Sequence, residues 1–211
     1  MKLTKIGHSC LLVEEDGVRI LIDPGGYTTG QNELKNLDVI LITQEHPDHL
    51  NMDSVKLLLK NNPNARIFTN KGTSRMLSKE TITHEFLEHK QNITIRGVLI
   101  EGFGEKHADI YPAVPQVDNT GYFIANRLFH PGDAFVRPGK PVEILALPVA
   151  APWLTIGEAL DYAKEIHPKI CFPIHDGMLK FLGPVHMLPE KVLAPLGIQF
   201  IVPEEGEEIE L

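Results

Sequence analysis

Short apolar runs, each closed by glycine, proline or a small polar residue, recur along the whole chain and read as a succession of brief strands with helices between them. Lys2 to Ile6, Cys10 to Val13 and Val18 to Ile22 predict a meander that stops at Asp23-Pro24-Gly25-Gly26. The run Asp38-Val39-Ile40-Leu41-Ile42 predicts a buried strand. Ser54 to Lys60 carries Val55, Leu58 and Leu59 at helical spacing, with Asp53 as N-cap and Asn61-Asn62-Pro63 as stop. Arg66 to Thr69 predicts a strand, Lys71 to Glu80 a helix, and Ile93 to Phe103 a return to β structure.

The segment Asp109 to Pro115 is broken by prolines and predicts a loop beside a pocket, while Gly121 to Ala125 with Leu128-Phe129 predicts a hairpin leading into Pro131-Gly132-Asp133. Glu143 to Val149 predicts another buried strand. Thr155-Ile156-Gly157-Glu158 then supplies a capping box for a helix with the stripe Ile156, Ala159, Leu160, Ala163 and Ile166, ended by Pro168. Lys169 to Ile174 runs as a strand into His175-Asp176-Gly177. A helix from about Pro189 to Leu196 and a strand Ile198 to Val202 follow, and the acidic tail is either disordered or ends in a strand through Ile209-Glu210-Leu211. No linker or repeat interrupts this order, so residues 1–211 read as one α/β domain with two sheets and helices packed outside them.

Composition narrows the function classes. Hydrophobic residues at 43% and charged residues at 23% are those of a globular protein, and no apolar run reaches the ~20 residues that span a bilayer. The N-terminus enters a strand pattern at once, without a secretory signal, which predicts a cytoplasmic protein. A net charge of -8 without a Lys/Arg cluster argues against long nucleic acid as partner and leaves a small-molecule substrate. Cys10 and Cys171 form no CxxC pair and sit in apolar surroundings, as buried reduced thiols do.

The candidate chemistry lies in an ordered set: His46, Asp48 and His49 in the block Thr43-Gln44-Glu45-His46-Pro47-Asp48-His49, then His107, Asp133 and His175. Every member follows a predicted strand, and rigid strand ends that deliver imidazoles and carboxylates to one point are how a metal is held. With ten histidines in the chain, a single His-x-Asp-His is weak; the order and placement of the set are not. Zinc suits these donors, as one or two ions, and manganese, iron or nickel fit the same residues. A metal so held implies hydrolysis, with a metal-activated water as nucleophile, Asp48 as the carboxylate that ligates, orients and takes the water's proton, and Asp133 as the carboxylate that positions the metals.

The set resembles the metallo-β-lactamase superfamily, whose signature is an H-x-H-x-D-H block, a single His, a Gly-Asp pair and a final His. Here these are Gln44-x-His46-x-Asp48-His49, His107, Gly132-Asp133 and His175, with Asp23 matching the family's early Asp. The resemblance covers nearly the whole chain and implies a four-layer αββα sandwich with one or two metals in a cleft between the sheets. It implies His46, His107 and Asp133 at one metal position, and Asp48, His49, His175 and a shared Asp133 at the other. Gln44 departs from the pattern, replacing an imidazole by a weaker amide donor, which implies looser binding at the first position. Gly7-His8-Ser9, Pro148 to Thr155 and Pro173-Ile174-His175 are similar to the compact branch that includes ascorbate-6-phosphate lactonase. That likeness implies a small lactone, ester or phosphorylated substrate. A non-catalytic metal-binding descendant and a small-molecule phosphodiesterase are the alternatives, the first favoured by Gln44.

Around the ligands, Asp23 either closes a turn or orients a ligand, and His8 is a core histidine, an orienting group or a substrate contact. His130 lines the site or makes a structural hydrogen bond, Trp153 and His186 shape a pocket wall, and His84, His89 and His167 belong to the surface.

Overall fold

The computed structural model describes residues 1–211. Its first sheet contains β1 (Lys2–Gly7), β2 (Cys10–Glu15), β3 (Val18–Ile22), β4 (Val39–Leu41), β5 (Arg66–Thr69) and β6 (Glu85–Phe86) in sequence order. The second contains β7 (Asn92–Ile95), β8 (Val98–Phe103), β9 (Gly121–Ile124), β10 (Leu128–His130), β11 (Ile144–Pro148), β12 (Ile170–Ile174) and β13 (Gln199–Phe200). The acidic tail settles as β14 (Glu208–Glu210), antiparallel to β1, so the last strand caps the first sheet's edge. Helices α1 (Met52–Asn61), α2 (Lys71–Lys79), α3 (Ile156–Ile166) and α4 (Gly183–Leu193) complete the fold.

Strand alternation sorts the apolar residues into three cores and thereby makes four layers. Leu11, Val13, Ile20, Ile22, Val39 and Leu41 face inward and meet Ile144, Ala146, Phe172 and Ile174 of the second sheet. Their neighbours Leu12, Leu21, Ile40 and Ile42 point outward and pack with Val55 and Leu58 of α1 and Leu77 of α2. On the far side Leu145, Leu147 and Cys171 face Ala159, Leu160, Ala163 and Leu193 of α3 and α4. The αββα sandwich that the resemblance implies is therefore the observed architecture. No helix is long and apolar enough to cross a membrane.

Local differences from the sequence expectations have local causes. Asn51, not Asp53, caps α1: its side chain accepts the Ser54 N–H, and the helix begins at Met52. The β stretch before His107 is a hairpin, because Arg96 and Gly97 both take positive φ (44° and 95°) in a two-residue turn between β7 and β8. The last helix starts at Gly183 rather than near Pro189: Pro184 sits in its first turn, where its missing N–H costs nothing, while Pro189 lies inside. Only Gln199–Phe200 of the expected final strand pairs, and β6 was not foreseen in a two-residue exposed segment.

What matters for the site is direction. β3 and β4 run parallel in one sheet, and β10, β11 and β12 run parallel in the other. Asp23, the 43–49 loop, Asp133 and His175 all follow the carboxyl ends of these strands, where α/β folds gather their ligands. His107 arrives differently, four residues beyond β8, in a loop held by the Lys106–Asp118 bridge and a His107 N–H bond to the Val117 carbonyl at 3.0 Å.

Candidate metal centre

Two groups of donor atoms stand at the strand ends: His46, His107 and Asp133 in one, His8, Asp48, His49 and His175 in the other. Asp133 joins them. Its Oδ2 lies 3.3 Å from His107 Nε2 and 2.9 Å from His175 Nε2, and its Oδ1 lies 3.3 Å from His49 Nε2. Asp48 Oδ2 is 3.2 Å from His175 Nε2 and 3.8 Å from His49 Nε2. Ligand atoms on a tetrahedral ion with bonds of ~2.0–2.1 Å stand ~3.3 Å apart, so these separations are those of a metal cage. His49 Nε2, His175 Nε2 and Asp133 Oδ1 are buried without a hydrogen-bond partner, and such orphaned atoms cost about 1–3 kcal/mol each unless something occupies the space between them. The residues present thus fit a metal.

The donor side chains are held from behind. Asp23, fully buried and with φ at 49°, accepts the Thr43 N–H and O–H at 2.8 Å each and the His49 Nδ1–H at 2.7 Å. His107 Nδ1 donates to the Ala108 carbonyl at 2.5 Å and His175 Nδ1 to the Ala150 carbonyl at 2.6 Å. Each bond places the proton on Nδ1 and leaves Nε2 free to ligate. Asn119 Oδ1 accepts the Asp133 N–H at 3.0 Å, and Gly132, with φ at 65°, comes so close that a Cβ there falls 2.2 Å from the same oxygen. Gly25 is equally constrained, since its Cβ falls 1.7 Å from the Asp48 carbonyl oxygen.

The remaining sequence candidates divide. Gln44 is fully buried with both amide atoms unpartnered, which suits a group waiting for a metal or water. Trp153 stands edge-on to His107 with ring centroids 6.0 Å apart. His130 is a structural residue: Nδ1 accepts the Gly132 N–H at 3.1 Å, so Nε2 carries the proton to the Ser9 carbonyl at 3.2 Å. His186 bonds Asp176 at 2.7 Å rather than lining the metal cage. Of the expected surface histidines only His167 is exposed; His84 is tied to Ser74 Oγ at 2.7 Å, and His89 accepts the Gly104 N–H at 3.1 Å.

Sequence reasoning passed over Thr43, Asn119 and the pair Lys5–Asp176, in which a buried ammonium meets both carboxylate oxygens at 2.7 Å beside His175. Lys5 had a signal: it occupies an inward position of β1 between Leu3 and Gly7, where a lysine needs a buried partner. Thr43 and Asn119 had none, because their partners are distant in sequence.

Electrostatics show what protons do when no cation is bound. Burial would push the Asp48 carboxyl up, but the His175 imidazole 3.2 Å away and the hydrogen bond from His8 override it and hold the group far below the usual range. Burial would lower His175, yet the Asp133 carboxylate beside it pushes it up to about 9. Burial lowers His46, aided by His107. A metal at His175 Nε2 must therefore compete with a second proton over a wider pH range than at an unperturbed imidazole. Metal affinity is expected to rise with pH until about 9, by about tenfold per unit for each proton released, where an unperturbed imidazole would level off near ~6.5. Chelator-competition titrations at pH 6 to 9 check this; a flat affinity from pH 7 upward contradicts it.

A recess of about 10 Å³ touches His46 and His107, and Pro115, Gln116 and Val117 stand between it and a separate groove of about 280 Å³ bordered by Glu45, Arg75, Lys106 and Asp118. Residues 2–175 match the family model described as β-lactamase superfamily domain. A Mycobacterium tuberculosis protein is 36% identical over 184 residues, 85% of each chain. A Methanocaldococcus jannaschii protein named as a metal-dependent hydrolase is 27% identical, over 99% of this chain and 100% of its own. Among solved structures, Igni18, a metallo hydrolase from Ignicoccus hospitalis, superposes with a TM-score of 0.76 at 23% identity, covering 100% of this chain and 98% of that one.

Proposed function

The chain belongs to the β-lactamase superfamily, and from that membership and its donor cage together we propose a metal-dependent hydrolase acting on a small lactone, ester or phosphorylated molecule. The observation that carries this reading is the set of buried, unpartnered donor atoms His49 Nε2, His175 Nε2 and Asp133 Oδ1 at cage spacing. His46, His107 and Asp133 would hold one ion, and Asp48, His49, His175 and Asp133 the other; mixed imidazole and carboxylate donors suit zinc at both. A metal bound there supplies a Lewis acid for a carbonyl or phosphoryl oxygen and acidifies a water toward ~7.

The chain's own groups do the rest. Asp133 reaches both groups of ligands and aligns them with each other. Asp48, partly open to solvent, orients the attacking water. Trp153 and the 109–117 loop wall the His107 side against bulk water. No covalent nucleophile is available: burial pushes the Cys171 thiol up to about 12 and Cys10 well above its usual value, and Cys10 is itself fully enclosed. Attack by water in one step follows. The groove's size and mixed charge suit a small molecule, and a cytoplasmic location accords with buried, unpaired cysteines.

Gln44 supports a second reading, a binding protein that has given up turnover. Gln44→His separates the two. The hydrolase reading expects metal affinity on the His46 side to rise about tenfold or more and hydrolysis with it; a binding protein gains metal and no turnover. The substrate panel includes lactones and bis-p-nitrophenyl phosphate, the latter reporting phosphodiesterase activity.

A further inference from the structure

His8 stands in one group with Asp48, His49 and His175, and by distance alone it qualifies as a ligand of the second position. Its nitrogens point to another role. His49, His107 and His175 each have Nδ1 bonded to an acceptor, which keeps the lone pair on Nε2 facing the cage. The Nδ1 of His8 is buried with no partner, and its Nε2 lies 3.2 Å from Asp48 Oδ2. A proton on Nδ1 would strand a buried N–H and set the Nε2 lone pair against a carboxylate oxygen. A proton on Nε2 makes a charge-assisted hydrogen bond instead.

We propose that His8 is a positioning residue, whose Nε2–H donates to Asp48 and holds that carboxylate in its ligating orientation, and that it is not itself a ligand. This rests on the reading of Asp48 as a ligand. The need is specific to Asp48. Asp23 is fixed by Thr43 and His49, and the Asp133 backbone is fixed by Asn119. Once His175 turns its Nε2 lone pair to a metal, His8 is the one N–H hydrogen-bonded to the Asp48 carboxylate.

The backbone is built to present that N–H. His8 takes a positive φ of 51° in the turn between β1 and β2, a conformation costly for a residue with a Cβ. Its carbonyl accepts the His175 N–H at 3.2 Å, tying the turn to a ligand. The ring lies 4.2 Å from that of His175 and 4.8 Å from that of Tyr27, and Gly177 packs so close that a Cβ there falls 3.0 Å from the His8 Cβ. A ring so enclosed cannot swing away from Asp48.

Nitrogen-15 NMR of the full chain labelled at histidine, before and after addition of zinc, reads both tautomer and ligation. Nε2 of His49, His107 and His175 is expected to move to metal-bound shifts while His8 keeps the Nε2–H pattern. Zinc titrations of two variants supply the second readout. His8→Leu is expected to weaken the second position about 10- to 100-fold, whereas His8→Gln, whose amide N–H reaches a similar point, restores most of the loss; the His46 side stays unchanged in both. Thermal midpoints confirm that each variant folds. A metal-bound shift at His8 Nε2, a proton on Nδ1, equal losses in both variants, or no loss in His8→Leu overturns the proposal. A native chain that takes up no zinc at all overturns the hydrolase reading as well, which distinguishes the two failures.

Discussion

Asparagine in place of Asp133 is expected to empty both metal positions together, with affinity at each falling by at least about a hundredfold. The two oxygens of this buried carboxylate face His49 on one side and His107 and His175 on the other, so this one residue reaches both groups. Asparagine keeps the shape and the Asn119 bond to the backbone N–H, and removes the charge that balances a cation. His107→Ala should cost only the first position and His175→Ala only the second. Zinc content after equilibrium dialysis measures all three, and loss of a single ion from Asp133→Asn would show that the carboxylate does not bridge.

Asp23→Ala is expected to destabilise the fold by about 3–5 kcal/mol, the range for breaking a buried charged hydrogen-bond network, and to weaken zinc at the second position about 10- to 100-fold. Three donors lose their acceptor at once: the Thr43 N–H, the Thr43 O–H and the His49 Nδ1–H, all fully buried. His49 then loses the bond that sets its tautomer and aim. Denaturant midpoints of the metal-free protein separate the stability loss from the metal loss. A variant with native stability would mean that the positive-φ carboxylate is only a turn residue.

The same two aspartates mark how far the sequence could be read. Apart from His107, which sits in a loop four residues beyond β8, the candidate donors were legible because each comes just after an apolar strand, whose end is visible where an apolar run meets turn residues: Leu41-Ile42 before Thr43, His130 before Pro131-Gly132, Ile174 before His175. Two sheets with helices outside them were legible from the order of the elements, and the four-layer arrangement from the resemblance; the alternation that gives each strand an inner and an outer face appears in the packing. Helix boundaries were less legible, because Asn51 and Asp53 are both fit to cap α1 and only the folded position of the Ser54 N–H chooses between them. The supports of the site were hidden. The Asn119–Gly132 contact, the carbonyls of Ala108 and Ala150 behind two imidazoles, and the positive φ of His8, Asp23 and His175 are products of chain segments meeting in space, and no local pattern encodes them.

On the proposed reading the paired donor groups hold metal and the metal makes the chain a hydrolase. The most direct test is metal content of the purified protein, native and His49→Ala, read alongside hydrolysis of the lactone and phosphodiester panel before and after chelation. One or two ions in the native protein, their loss with the substitution, and turnover that disappears on chelation and returns with zinc are the predicted result. A native chain that neither carries metal nor takes it up, or that binds metal and hydrolyses nothing on the panel even as Gln44→His, would contradict the account.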